Sequence, residues 1–172
     1  MRLPMAELAP MERLQPCLLD RLTDDEPDVK VESRDRRITS LKKYKKAVLR
    51  DLAMLLNSKA YPLGEEIYDF ADAARSVLNY GIPDLCGATI SAISPSDFEA
   101  QVKQAILAFE PRISGRHLSI HVVSPPDVQY VRTISFEIEG ELWAQPLPDH
   151  LYVKTEVDLE TGHHKLKGEP GG

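Results

Sequence analysis

Apolar residues recur with a helical period in three stretches between residues 39 and 112 and with a period of two in three stretches after them. In Ser96 to Arg112, SDFEAQVKQAILAFEPR, the residues Phe98, Val102, Ile106 and Phe109 fall at i, i+4, i+8 and i+11. That spacing predicts one buried stripe on an amphipathic helix. Ser96 is placed to cap it, and Glu99 three residues later completes a capping box. Pro111 cannot continue the helical ladder and biases Glu110 out of the α region, so the helix should stop at Glu110-Pro111-Arg112. A second stripe, Leu41, Tyr44, Val48, Leu52 and Leu55 or Leu56, predicts a helix over residues 39–57, capped by Thr39 or Ser40. Ile67, Phe70, Ala74, Val77 and Leu78 predict a further helical stretch over 65–80, with Gly81 at its C′ position and Pro83 enforcing the stop.

Beyond Arg112 the alternation changes. Leu118, Ile120 and Val122 alternate with His117, Ser119 and His121; Ile134, Phe136 and Ile138 alternate with Ser135, Glu137 and Glu139. Leu151, Val153, Thr155 and Val157 alternate with polar residues in the same way. These are half-buried strands, with Pro125-Pro126-Asp127 in the first connection and Gly140 ending the second strand. Helices followed by strands argue an α+β fold, in which N-terminal helices pack on one face of a small, mainly antiparallel sheet of about three or more strands. The expected organisation is a mobile N-terminal arm over 1–37, a single α+β domain over 38–162 and a disordered tail over 163–172. Within the arm, residues 16–22 form a short apolar segment with Leu18, Leu19 and Leu22. It is too short to be a stable helix alone and should dock on the core or on a neighbouring subunit.

The helix end at Glu110 and Arg112 poses an electrostatic question. Arg112 is favoured near a helix C-terminus, whereas Glu110 is not, so Glu110 needs a partner. The pair is either a solvated surface contact of little energetic worth or a buried or interface-facing ion pair.

Composition narrows the function. The chain has 172 residues, 42% hydrophobic and 28% charged, which suits one domain with a real core. Its formal net charge of -6 gives no global reason to bind nucleic acid or an anionic membrane. The Lys42, Lys43, Lys45 and Lys46 cluster has no interleaved aromatic reader, and reads as a solvated face or a protein contact. Cys17 and Cys86, without CxxC spacing, read as free thiols in a reducing compartment. No apolar run reaches membrane-spanning length, and Glu7, Glu12 and Arg13 interrupt any signal-like core, so the expected location is the cytoplasm. No GxSxG, HExxH, glycine-rich phosphate loop or zinc spacing occurs. His163 and His164 lack acidic or cysteine partners at ligand spacing, so neither a metal nor another cofactor is expected. Glu137 and Glu139 share a strand face, the arrangement of a solvated strand as much as of a catalytic pair.

Several stretches resemble one family. Leu18-Leu-Asp-Arg-Leu-Thr-Asp-Asp-Glu-Pro-Asp28, Val48-Leu-Arg-Asp-Leu52, Ser76-Val-Leu-Asn-Tyr-Gly-Ile-Pro-Asp84, Phe109-Glu-Pro-Arg-Ile113, Phe136-Glu-Ile-Glu-Gly140 and Leu151-Tyr-Val-Lys-Thr-Glu-Val-Asp-Leu-Glu-Thr-Gly162 occur in the order and spacing of the type VI secretion baseplate subunit TssE. The resemblance covers about residues 16–162. TssE is similar to the small wedge protein of contractile phage baseplates. The resemblance implies a non-enzymatic structural role, without cofactor, in a cytoplasmic machine docked at the inner membrane. It implies assembly with TssF and TssG, with TssK and the VgrG hub region nearby, and a link to the TssB/TssC sheath by strand exchange. It implies no nucleic acid and no direct membrane insertion. The hallmark Glu-Pro-Arg maps onto Glu110, Pro111 and Arg112, which together with Leu18, Leu19 and Leu22 are the expected partner-contacting residues. On that reading Glu110→Ala should abolish assembly and leave the isolated fold intact. The alternative function is a lysozyme-like cell-wall hydrolase using a carboxylate pair, a label some relatives have carried, although no residue here supports it.

Overall fold

The computed structural model describes residues 14, 16–23, 41–62, 64–89, 92–123, 132–144 and 148–168. Most of the expected N-terminal arm, the Thr39 or Ser40 cap and the Pro125-Pro126-Asp127 connection lie outside the described residues.

Two long helices position the rest. Helix α2 (Leu41–Leu56) buries Tyr44, Val48, Leu52, Leu55 and Leu56, the stripe its spacing predicts, although Leu41 at its start is exposed. It follows a short helix, α1 (Leu18–Leu22). Helix α4 (Pro95–Phe109) buries Phe98, Val102 and Ile106. Its cap is Ser94, not Ser96: the Ser94 hydroxyl accepts from the Asp97 N–H at 3.4 Å and Pro95 takes the first turn. Glu99 makes no capping box; its Oε1 accepts from the Val122 N–H at 2.8 Å, fastening the helix to the sheet.

The sheet has four antiparallel strands in the order β1 (Ile113–Val123), β2 (Thr133–Leu142), β3 (Asp149–Asp158) and β4 (His164–Gly168). Helix α4 packs on β1, and α2 packs on α4 and β4. One hydrophobic core joins them, with Phe98 of α4 edge-on to Phe136 of β2 at 5.1 Å between ring centroids. The alternating strands are half-buried as their period requires.

Three expectations are corrected. The chain beyond 163 is not wholly a disordered tail, because residues 164–168 pair with Val153–Val157 as β4. Asn57 at the end of α2 holds that strand, donating to the His164 carbonyl at 3.0 Å and accepting from the His164 N–H at 2.9 Å. Gly140 does not end β2; it lies inside the strand opposite Leu151, where a Cβ would crowd Ile113 Cγ2 at 3.3 Å. Residues 65–80 are not one helix but a 3-10 turn (Glu66–Asp69), a four-residue helix α3 (Ala71–Ala74) and a second 3-10 turn (Val77–Asn79). Gly81 therefore caps no helix. It has φ 134° and lets the chain run against residues 58–60, where a Cβ would lie 2.4 Å from the Ser58 carbonyl oxygen. The Ile82 N–H donates to Ser58 and the Ala60 N–H to Ile82, both at 3.0 Å.

Candidate functional site

Pro111 shapes the site. The Glu110 N–H still donates to the Ile106 carbonyl at 2.8 Å, but its φ and ψ of -123° and 75° leave the helix, and the chain turns at once into β1. The turn directs the Glu110 carboxylate inward, where the residue is only 3% exposed. A carboxylate so placed needs charged partners, because its water has been removed.

Arg112 supplies them. Its Nε donates to Glu110 Oε1 at 2.6 Å, its Nη2 donates to Glu110 Oε2, and its backbone N–H reaches Oε1 at 3.2 Å. The planar guanidinium fork matches both carboxylate oxygens. The same Nη2 donates to Asp51 Oδ2 of α2 at 2.6 Å. Asp51 Oδ1 accepts from Arg50 Nε at 2.8 Å, and Arg50 Nη1 donates to Asp20 Oδ1 of α1 at 2.6 Å. The Cys17 thiol donates to Asp20 Oδ2 at 2.9 Å. The order Glu110, Arg112, Asp51, Arg50, Asp20 thus alternates in sign across the end of α4, the middle of α2 and α1. Exposure rises along it from Glu110 to Arg50, with the Arg112 and Asp51 side chains at 18% and 22%, and falls again at Asp20.

The shifted ionisations follow from these contacts. Hydrogen bonding to Glu110, opposed by burial and reinforced by Asp51, raises Arg112 above its ordinary value, and the Asp20 and Asp51 carboxylates do the same for Arg50. Burial pushes the Asp20 carboxyl up, but hydrogen bonds from Cys17 and Arg50 outweigh it and hold it below the usual value. Tyr44 is raised by burial, and its hydroxyl donates to the Trp143 carbonyl at 3.0 Å. The Trp143 N–H donates to the Arg112 carbonyl at 2.7 Å, so the backbone of the turn is fixed as well as its side chains.

Of the two readings of the Glu110–Arg112 spacing, the geometry is the buried one. Glu110 and Arg112 are together, and Pro111 between them is exposed. Burial of Glu110 also revises the expectation that Glu110→Ala leaves the fold intact, because the change would take from Arg112 its bidentate partner in a partly desolvated site. Leu18, Leu19 and Leu22 are exposed, and no residue of α1 is buried. The segment is held beside α2 by the Asp20–Arg50 pair, which no apolar pattern could reveal; the adjacent opposite charges Arg50-Asp51 beside the buried Leu52 were the one visible sign. Glu137 and Glu139 lie on the face of the sheet opposite the helices, and Glu139 Oε1 is 3.1 Å from His150 Nε2. His164 is buried instead of free in a tail: burial, with His163 nearby, lowers it to about 4, so it is a neutral core residue. No group of three or more metal-ligating side chains occurs among the described residues.

The arrangement is a preformed corner of paired charges on an α+β scaffold. Residues 42–147 match the family described as Baseplate wedge protein gp25, and the chain belongs to that family. It is a structural, non-enzymatic baseplate wedge component of phage-like contractile machinery, whose partners are other baseplate subunits. The match spans α2, α4, β1 and β2, including Glu110-Pro111-Arg112. Comparison with curated proteins gives no significant match. Comparison with solved structures gives none either. Among the described residues no helix is long and apolar enough to cross a membrane.

Proposed function

We propose that this chain is the TssE-type wedge subunit of a type VI secretion baseplate, working in the cytoplasm at the inner-membrane-docked baseplate. It assembles with TssF and TssG, near TssK and the VgrG hub region, and leads into the TssB/TssC sheath. The observation that carries the reading is the charge chain from Glu110 to Asp20. It couples the Glu-Pro-Arg turn of the wedge family to the segment bearing Leu18, Leu19 and Leu22, two elements far apart in sequence that would otherwise be independent. Glu110 sets the orientation of Arg112 from within, exposed Pro111 and the accessible edge of Arg112 and Asp51 meet a neighbouring subunit, and the three leucines dock on a second apolar surface. Partly desolvated charges of this kind select a partner and its register more than they add affinity.

The sheet offers a complementary contact. β4 pairs with Val153–Val157 of β3. β1, the other edge, is interrupted between Ser114 and Ser119. A strand added by β-augmentation at a sheet edge would join the wedge to the sheath.

The test is co-expression with TssF and TssG and pull-down through a tag on either. Leu18→Ser with Leu22→Ser changes only exposed residues, so the melting temperature should stay within about 2 °C while retention falls at least ~10-fold. Full retention of that variant would remove α1 from the interface, and failure of the wild-type chain to be retained would remove the TssE reading itself.

A further inference from the structure

Residues 64–79 leave the core and return to it, and their largest apolar side chains face outward. Phe70 is 65% exposed, Val77 80% and Leu78 71%. The excursion is nonetheless firmly built. Asn79, itself buried, accepts from the Tyr61 N–H through Oδ1 at 2.9 Å and donates through Nδ2 to the Ala74 carbonyl at 3.0 Å. The Tyr68 hydroxyl donates to the Tyr61 carbonyl at 2.9 Å. Hydrogen bonds thus set its shape, while Phe70, Val77 and Leu78 stay exposed. A surface with its ordering cost already met inside the subunit is pre-organised for a partner.

The charges on this excursion say which kind. Glu65, Glu66, Asp69 and Asp72 are all exposed, and none has an ion-pair partner among the described residues. Arg75 is the only base between 61 and 79. Such a surface repels nucleic acid and anionic lipid headgroups and attracts Lys and Arg. We propose that residues 64–79 are a second docking surface, which takes a basic protein segment with an apolar face, supplied by another baseplate subunit. Phe70, Val77 and Leu78 receive the apolar side, and the four acids receive the lysines or arginines. This surface is separate from the Glu110–Arg112 corner and from α1, and it stands whether or not the machine is a type VI system.

The full chain is titrated with a soluble helical peptide of Leu and Lys at amphipathic spacing, and with its Leu and Glu counterpart. The Lys peptide should bind, bind more weakly as salt is raised, and lose at least ~10-fold in affinity for Val77→Ser with Leu78→Ser. Glu65→Gln, Glu66→Gln, Asp69→Asn and Asp72→Asn together should cost as much, and every substituted residue is exposed, so unchanged melting temperatures certify the fold. If the serine variant unfolds, Phe70→Ser takes its place. Equal binding of the Glu peptide, or undiminished binding by both variants, overturns the proposal. So does concentration-dependent dimerisation in sedimentation that the serine variant abolishes, which would assign the face to a second copy. Binding to phosphatidylserine vesicles lost in the same variant would assign it to a membrane. In the assembled baseplate, a photo-cross-linker replacing Leu78 should capture a segment rich in Lys or Arg, and capture of an acidic segment overturns the assignment.

Discussion

Residues 65–79 and 95–109 carry apolar side chains at the same helical spacing, and they end in opposite environments. In 95–109 the chain has a cap at Ser94, a proline in the first turn, strong helix formers throughout and a stop at Pro111. The helix is continuous, and Val102 and Ile106 are fully buried. In 65–79 two polar side chains compete for the backbone. The Ser76 hydroxyl donates to the Ala73 carbonyl at 2.8 Å and accepts from the Leu78 N–H at 3.2 Å, and Asn79 takes the Ala74 carbonyl. Each interception ends a turn, and the fragments are too short to carry a common stripe. Equal periodicity therefore yields a core helix where the backbone is left to itself and an outward-facing surface where side chains capture it.

The largest effect should come from the buried end of the continuous helix. Glu110→Ala removes the carboxylate that balances Arg112, and breaking a buried pair from one side costs about 3–5 kcal/mol. Urea denaturation of the isolated chain measures it. A loss below about 1 kcal/mol would mean that the pair behaves as a solvated surface contact, and the contrast between a buried and an exposed element would fail at its most polar point.

A matched pair of truncations tests the apolar side of the contrast. Ile106→Ala should cost about 2–5 kcal/mol because it opens a cavity between helix and sheet. Leu78→Ala removes a similar volume from the exposed excursion and should stay within about 0.5 kcal/mol in the isolated chain. Similar losses for both would place Leu78 in the core and withdraw the outward-facing surface.

These tests also mark what the chain disclosed before its structure. The stripes of α2 and α4, the Pro111 stop and the half-buried strands were legible because each has a period or a breaker that acts locally. The α4 cap was displaced by two residues because Ser94 and Ser96 both precede an apolar run, and only Ser94 has Pro95 after it to open the helix. β4 was missed since a five-residue strand with a single large apolar residue, Leu166, between two lysines has too little alternation to stand out, and Asn57, which holds it, lies 107 residues away. The candidate site was legible in Glu110-Pro111-Arg112 but not in Asp51 or Asp20. Their roles arise from the packing of three helices, and spacing along the chain does not encode it.

The finest discriminator is pH. Glu110 is buried with a charged partner, whereas His164 is buried without one, its Nδ1 having no hydrogen-bond partner among the described residues. It faces Phe136 at 5.9 Å between ring centroids, and burial lowers it from 6.5 to about 4. Above pH 6.5 the imidazole is neutral in both folded and unfolded chains, so its contribution is fully present. As pH falls from 6.5 the unfolded chain gains a proton that the folded chain resists down to about 4, and stability is lost across that window. The loss should be about 2 kcal/mol between pH 7 and pH 5, before most carboxylates titrate. His164→Leu keeps the Asn57 bonds, which use only the backbone of residue 164, and should abolish that part of the pH dependence. Equal acid sensitivity in the two chains would show that the imidazole is solvated when folded, and that β4 closes the core less tightly than α4 does.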